Sequence, residues 1–255
     1  MKASVDTLAF EITRRCNMCC EHCMRGDAQN KDMTEEIIDA TLLGIESIGS
    51  LVLTGGEPSL NVPAMRYIAK RIDELGIPVG YVYLVTNGKV VSNDFLLACL
   101  ELFVQADEPD MNGLALSKDM FHEDIPWENI NKLSQLTAFN SEDKDTDFDK
   151  YPIINLGRAK DLDGFEKREV CREIFSMDIS GEVPCIESTI TVTVDGDILS
   201  GCDYSYAEAA NIQVGSVKSK DWVKALAQDY CAEDIETLKD WGRDDLVALY
   251  TGKVA

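Results

Sequence analysis

The chain has 255 residues, 45% of them hydrophobic, enough for a substantial core in one large domain or one domain with a small appendage. Its formal net charge of -22 argues against a surface built to hold phosphate backbones, because that affinity comes largely from Lys and Arg displacing counterions; no nucleic-acid partner is expected. The opening residues lack the apolar run of a signal peptide, and no later stretch approaches the ~20 apolar residues of a membrane span, so a cytoplasmic location without membrane attachment is expected. In a reducing compartment, nine cysteines are better explained by metal binding and core thiols than by a disulfide framework.

Val5 to Ile12 reads as a buried strand, followed by a polar loop to about Asp32 that carries Cys16, Cys19, Cys20, His22 and Cys23. Cys16, Cys20 and Cys23 have the spacing C-x3-C-x2-C. Thiolates are the soft ligands that iron-sulfur clusters and zinc select, and one loop can wrap a site without distant chain closure. The two C-x2-C pairs in the same stretch leave half a zinc site or disulfides as alternatives. Thr34 suits a helix cap, Glu35 and Glu36 suit the positive end of a helix, and Ile37, Ile38, Leu42, Ile45 and Ile48 predict one apolar face.

Ser50 to Thr54 predicts a second strand ending in Gly55-Gly56-Glu57-Pro58, and Pro63 to Leu75 a helix stopped by Gly76. Val79 to Thr86 is a third strand ending at Asn87-Gly88, and a helix follows from about Asn93 to Gln105. Leu114 to Ser117 is a fourth strand, Pro126 to Leu136 a short helix, Asn140 to Lys150 a charged surface loop, and Tyr151 to Leu156 a further strand running into Gly157-Arg158. Alternating strands and helices imply a parallel sheet with right-handed crossovers, open or closed into a barrel, with the chemistry at the carboxyl ends of the strands. The cysteines, Gly55 to Pro58, Asn87, Ser117 and Arg158 all fall on that edge.

From about Asp161 the pattern changes. Thr189 to Val194 alternates, and Asp195-Gly196 predicts a two-residue hairpin turn into Ile198 and Leu199. Helices are predicted over about Asp221 to Cys231 and Asp234 to Tyr250. The boundary is placed between residues 1–165, an α/β domain, and residues 166–255, a smaller α+β module.

The cysteine triplet, the TGGEP of Thr54 to Pro58 and the TNG of Thr86 to Gly88, in that order at successive strand ends, resemble the radical S-adenosylmethionine (SAM) enzyme superfamily over roughly residues 5–160. The resemblance implies a partial (β/α)6 TIM-type barrel. It implies a 4Fe-4S cluster held by Cys16, Cys20 and Cys23, with SAM on the fourth iron. One electron, from a donor such as flavodoxin or ferredoxin, would then cleave SAM to a 5'-deoxyadenosyl radical that takes hydrogen from a substrate C-H bond. It assigns Gly55 and Gly56 to close backbone approach, Glu57 to the methionyl ammonium and His22 to adenine. Ser117 is set at the ribose or carboxylate with Asp119 close by, and Asn87 and Arg158 complete the pocket. A strand-ending turn with a surface Glu, a loop His, a turn Asn and a surface Arg are the plainer readings.

Cys185, Gly196 and Cys202 resemble the opening of the SPASM or twitch modules that hold an auxiliary cluster in many peptide-modifying members, with Cys171 and Cys231 as further candidate ligands. The spacing after Gly196 is one residue longer than the pattern, and the paired cysteines that usually follow are missing. With a two-residue turn, Cys202 would face Thr189 and lie about 13 Å from Cys185 at ~3.3 Å per residue, too far for one cluster without a bend at Pro184. Core thiols are the alternative, as for Cys99 on an apolar helix face. The leading expectation is modification of a peptide or protein. A glycyl-radical activase, a small-metabolite enzyme and a zinc-stabilised non-catalytic binding module remain open. No peptide-binding extension precedes the first strand, which weighs against a peptide if leader recognition must be built in.

Overall fold

The structure, a computed structural model, describes residues 1–140 and 152–252. Its first half runs β1 (Ala3–Thr13), α1 (Glu35–Leu42), β2 (Ile45–Gly55), α2 (Val62–Leu75), β3 (Val79–Thr86), α3 (Asn93–Phe103), β4 (Gly113–Leu116), α4 (Trp127–Leu133) and β5 (Phe139–Asn140). Beyond residue 151 come β6 (Ile153–Ile154), β7 (Lys167–Arg168), β8 (Met177–Asp178), β9 (Cys185–Val192), β10 (Asp197–Ser200), β11 (Gln213–Ser216), α5 (Trp222–Tyr230), α6 (Ala232–Asp240) and α7 (Asp244–Thr251). β1 to β5 pair in parallel in chain order, the α/β core expected of a partial barrel, and the sheet is open rather than closed. No helix among the described residues is long and apolar enough to cross a membrane.

β1 is apolar along most of its length because it has a strand on either side: β2 on one edge and β9, also parallel, on the other. Leu8, Phe10 and Ile12 are fully buried in consequence. α2 buries Ala64, Met65, Ile68, Ala69 and Ile72, spaced at one helical face, and stops where Gly76 takes φ 62°, a left-handed cap that glycine adopts without a Cβ penalty.

Several boundaries differ from the sequence reading. Ile45 and Ile48 do not extend the first helix; they begin β2, paired with Ala3 and Val5 of β1. At Gly44 a Cβ would meet the Trp222 indole at 2.5 Å, so the chain turns there and sheet pairing overrides the helical spacing. Ile153 and Ile154 pair with Lys167 and Arg168 in a separate two-stranded sheet instead of joining the main one. The predicted charged loop lies outside the described residues apart from Asn140, which closes β5. The hairpin turn holds three residues, not two, since Thr193 donates to the Asp197 carbonyl and Val192 faces Ile198. That one-residue change moves each cross-strand partner, because strand side chains alternate faces. The last predicted helix is two, broken at Gly242, which has φ 69°.

The hairpin is not apart from the core. Through β9 it continues the same sheet, in the order β11-β10-β9-β1-β2-β3-β4-β5, so residues 185–216 flank the strand that leads into the cysteine loop.

Candidate active site

β1 delivers the chain to a loop closed at its neck. Thr13 bridges Asp32, the Arg14 amide donates to the Lys31 carbonyl at 2.9 Å, and the Gln29 amide donates to Arg14 at 2.9 Å. Beyond the neck the loop coils tightly: the Cys23 amide donates to the Cys20 carbonyl and the Gly26 amide to the Cys23 carbonyl, each at 3.2 Å. Cys16, Cys20 and Cys23 are half-buried and line one cavity of about 600 Å³, while Cys19 is exposed and points elsewhere. This volume lies in the range of small-molecule sites, ~300 to 1,000 Å³.

The same cavity is lined by His22, Gly55, Gly56, Glu57, Asn87 and Ser117, so six further sequence candidates meet the three cysteines there. Their roles are partly internal. At Gly55 (φ 151°) a Cβ would lie 2.2 Å from the Thr13 carbonyl oxygen, and at Gly56 one would lie 2.2 Å from that of Arg15. The pair of glycines therefore lets the end of β2 press against the base of the cysteine loop, sealed by amide bonds from Gly56 to Thr13 and from Glu57 to Arg15, both 2.8 Å.

Glu57 is buried, and its carboxylate accepts from the Ser59 amide (3.0 Å), the Thr86 hydroxyl (2.7 Å) and the Asn87 amide (2.7 Å). It ties TGGEP to TNG, leaving one acceptor position of about four for a ligand. Asn87 in turn directs its Nδ2 at Asn17 Oδ1 (2.8 Å) and Cys16 Sγ (3.9 Å). The second motif thus supports the first cysteine.

Arg158 is not among the residues lining the cavity. It grips the cysteine loop instead: Nε donates to the Cys20 carbonyl at 3.0 Å and Nη1 to Cys19 Sγ at 2.9 Å and Asp27 at 3.1 Å. Gly157 beside it approaches so closely that a Cβ would sit 2.6 Å from the Cys23 carbonyl oxygen.

The chain's two histidines converge on Asp119: His22 Nε2 is 3.1 Å and His122 Nδ1 2.7 Å from its two oxygens. Burial would raise the Asp119 carboxyl, but hydrogen bonds from His122 and His22 hold it far below the usual range. Burial opposes a charge on His122, yet Asp119 and then Cys20 push its pKa up to about 9. The three are a compact metal-type set, and the ion pairs that join them account for their closeness. His22 also stacks on Phe121 with ring centroids 4.7 Å apart. Asp119 was legible as a neighbour of Ser117; His122 and Phe121 were missed, though Asp119 and His122 share an i, i+3 spacing. Arg168 and Ile153, reaching the cavity from the small second sheet, gave no sequence signal.

The later cysteines are spread out. Cys171 and Cys202 line one small pocket of about 70 Å³. Cys185 lies at the start of β9, its thiol 3.8 Å from Asp6, and Cys231 is buried with its thiol directed at the Met177 carbonyl, 3.4 Å away. Cys99 is a core thiol, pushed up to about 12 by burial.

Residues 10–135 match the family model for the radical SAM superfamily. Comparison with curated proteins gives no match. Among solved structures, "native anSMEcpe with bound AdoMet and Cp18Cys peptide" matches with a TM-score of 0.51 and 14% identity over 88% of this chain and 80% of that one. The Kp18Cys complex of the same protein matches with a TM-score of 0.51 and 13% identity over the same shares. Streptococcus suis SuiB bound to precursor peptide SuiA has a TM-score of 0.36 and 11% identity over 77% of this chain and 58% of that one. Residues 10–135 are therefore a radical SAM domain, with both strand-end motifs on one cavity at the edge of an open parallel sheet, and the chain is an enzyme.

Proposed function

We propose that Cys16, Cys20 and Cys23 hold a 4Fe-4S cluster and that the cavity beside them binds SAM, for hydrogen abstraction from a peptide or protein. The observation that carries this reading is the single cavity onto which the three cysteines, Gly55 to Glu57, Asn87 and Ser117 all open. The residues suit the group chemically: three half-buried soft donors on a loop stiffened from behind by Arg158, with Cys19 turned out. When bound, the cluster and SAM supply a carbon-centred radical. The chain's own part is to seat SAM and substrate and keep water out. Ser117 and the remaining acceptor position of Glu57 face SAM, and His22, held by Asp119 and Phe121, offers a ring face to adenine. Ile153 and Ile154, with Arg168, form the side of the cavity left for substrate.

The peptide class draws support from the anSMEcpe structure, which holds AdoMet and a peptide in a related fold. In this reading residues 1–165 are the radical SAM core and residues 166–255 a SPASM- or twitch-like module. A second cluster would have to be built from Cys171 and Cys202, which share a pocket, with ligands other than Cys185 and Cys231. A small redox protein such as flavodoxin or ferredoxin would supply the electron, and the reaction would run in the cytoplasm. Anaerobic reconstitution is the test. Iron and sulfide near four per chain and reductive cleavage of SAM to 5'-deoxyadenosine, both lost in Cys20→Ala, are expected; zinc without sulfide would refute the reading.

A further inference from the structure

Cys171 and Cys202, which share a small pocket, lie on neighbouring segments that run in opposite directions. Contacts on both sides of the two cysteines fix that register. At one end Arg168 Nη2 lies 3.8 Å from Asp203 Oδ2. At the other, the Ser200 hydroxyl donates to the Glu173 carbonyl at 3.0 Å, and a Cβ on Gly201 would meet that of Glu173 at 3.4 Å. Cys171, between Arg168 and Glu173, is thereby brought level with Cys202, between Gly201 and Asp203. Both thiols are free and both residues are exposed. The pocket they line, about 70 Å³, is far below the ~300 Å³ at which small-molecule sites begin, so it is a gap between two chain segments and not a ligand site.

Two chemistries are open to such a pair of thiols, metal ligation and oxidation to a disulfide. A metal needs further donors arranged with them. Among the described residues, His22, Asp119 and His122 form a set of three donors close enough to share an ion, and neither Cys171 nor Cys202 belongs to such a set. Oxidation needs only the pair and an acceptor for two electrons. The remaining thiols of this region do not compete, since Cys185 faces Asp6 and Cys231 the Met177 carbonyl.

We infer that Cys171 and Cys202 are a reversible disulfide site, oxidised by a small-molecule disulfide of the glutathione type. The Cys171 thiolate attacks one sulfur of that disulfide, releasing one thiol and leaving a mixed disulfide. The Cys202 thiolate then attacks the Cys171 sulfur and releases the second thiol. One S–S bond breaks and one forms, two electrons pass to the oxidant, and the two protons of the pair end on the released thiols. Desolvation by the protein around its sulfur, and then the Asp203 charge, raise the Cys202 thiol; its attack is intramolecular, where proximity offsets a small thiolate fraction. In a reducing compartment such a bond is a transient, redox-sensing one. Its place in the fold gives it reach: Arg168 and Arg25 both line the large cavity, and Arg25 Nη1 donates to the Cys202 carbonyl at 2.8 Å. The bond therefore ties the segment that follows β7 to the hairpin end on which the cysteine loop is anchored.

The test is peptide mapping without reductant of the reconstituted holoprotein, held anaerobically in glutathione buffers of graded potential. A linked pair of peptides carrying Cys171 and Cys202 is expected, absent in Cys171→Ser and opened by dithiothreitol. The ratio of linked to open chains should change tenfold for every ~30 mV, as for a two-electron couple. Two free thiols at every potential, glutathione on either cysteine with no link between them, or a link from either to a third cysteine would overturn the inference. Iron near eight per chain in wild type that falls toward four in Cys171→Ser would also overturn it, by making the pair ligands of a second cluster, while leaving the proposed function standing. Wild type that assembles no four-iron cluster yet forms the link would refute the proposed function and uphold this site.

Discussion

Two groups of cysteines occupy this protein, and they are assembled in different ways. Cys16, Cys20 and Cys23 lie within eight residues, on one loop whose neck, base and back are each held by a separate element: Asp32 closes the neck, Gly55-Gly56 press on the base, and Arg158 grips the back. Cys171, Cys185, Cys202 and Cys231 are drawn from a loop, a strand start, a hairpin end and a helix junction, and of these Cys171 and Cys202 line one small pocket. The lesson concerns distance along the chain. Ligands close in sequence need only the loop to coil, whereas ligands on separate elements meet only where sheet register and helix packing bring them together.

The sharpest way to break the contrast is ligand removal. Cys16→Ala, Cys20→Ala and Cys23→Ala should each reduce iron and sulfide loading and SAM cleavage to background, while Cys185→Ala and Cys231→Ala should retain the cluster. Equal iron loss in Cys185→Ala would make Cys185 a ligand on the same footing as the loop cysteines. Next in size is the link between the two regions. Glu11→Ala removes the acceptor for Arg14, Tyr204 and Val194 and leaves a buried cation, so it should cost about 3–5 kcal/mol in urea denaturation. A loss below 1 kcal/mol would mean that the C-terminal segment is not anchored through β1.

Gly56→Ala forces a Cβ against the Arg15 carbonyl and should destabilise by about 1–3 kcal/mol, with reduced cluster loading; full loading would separate the glycine pair from the loop's geometry. The His122–Asp119 pair has a pH signature in the iron-free protein. The His122 pKa is raised from 6.5 to about 9, so its contribution is complete below 6.5 and is lost as pH rises through 9. Stability should fall by roughly 2 kcal/mol between those limits, and Asp119→Asn should flatten the curve. The smallest effect belongs to Cys19→Ser. Exposed and outside the cavity, it should change stability by less than about 0.5 kcal/mol and leave iron content intact. Loss of iron there would shift the ligand register from Cys20 to Cys19.

The residues that could be read in advance share a trait: each signal was local. The C-x3-C-x2-C spacing, the glycine pair after β2 and the asparagine after β3 announce themselves within a few positions, and all of them open on the cavity. Roles that depend on a second segment were not legible. Glycines read as room for a ligand make room for Thr13 and Arg15, and Arg158, read as a pocket group, holds Cys19 and Cys20 from outside. The misplaced boundary at Ile45 has the same cause, since helical spacing there is real but β1 and β3 offer those side chains fuller burial.

By itself, then, the sequence determined the strand-helix rhythm, the edge on which the polar motifs gather and the set of loop thiols, because hydrophobic period and turn chemistry act over a few residues. Only the tertiary structure decided that Cys19 turns outward, that both histidines meet on Asp119, that Cys171 and Cys202 share a pocket while Cys185 faces Asp6 and Cys231 the Met177 carbonyl, and that β9 lies against β1 so that Arg25, Tyr204 and Tyr206 close around the cysteine loop. Those outcomes depend on register and packing between segments nearly two hundred residues apart, and no window of sequence contains that information.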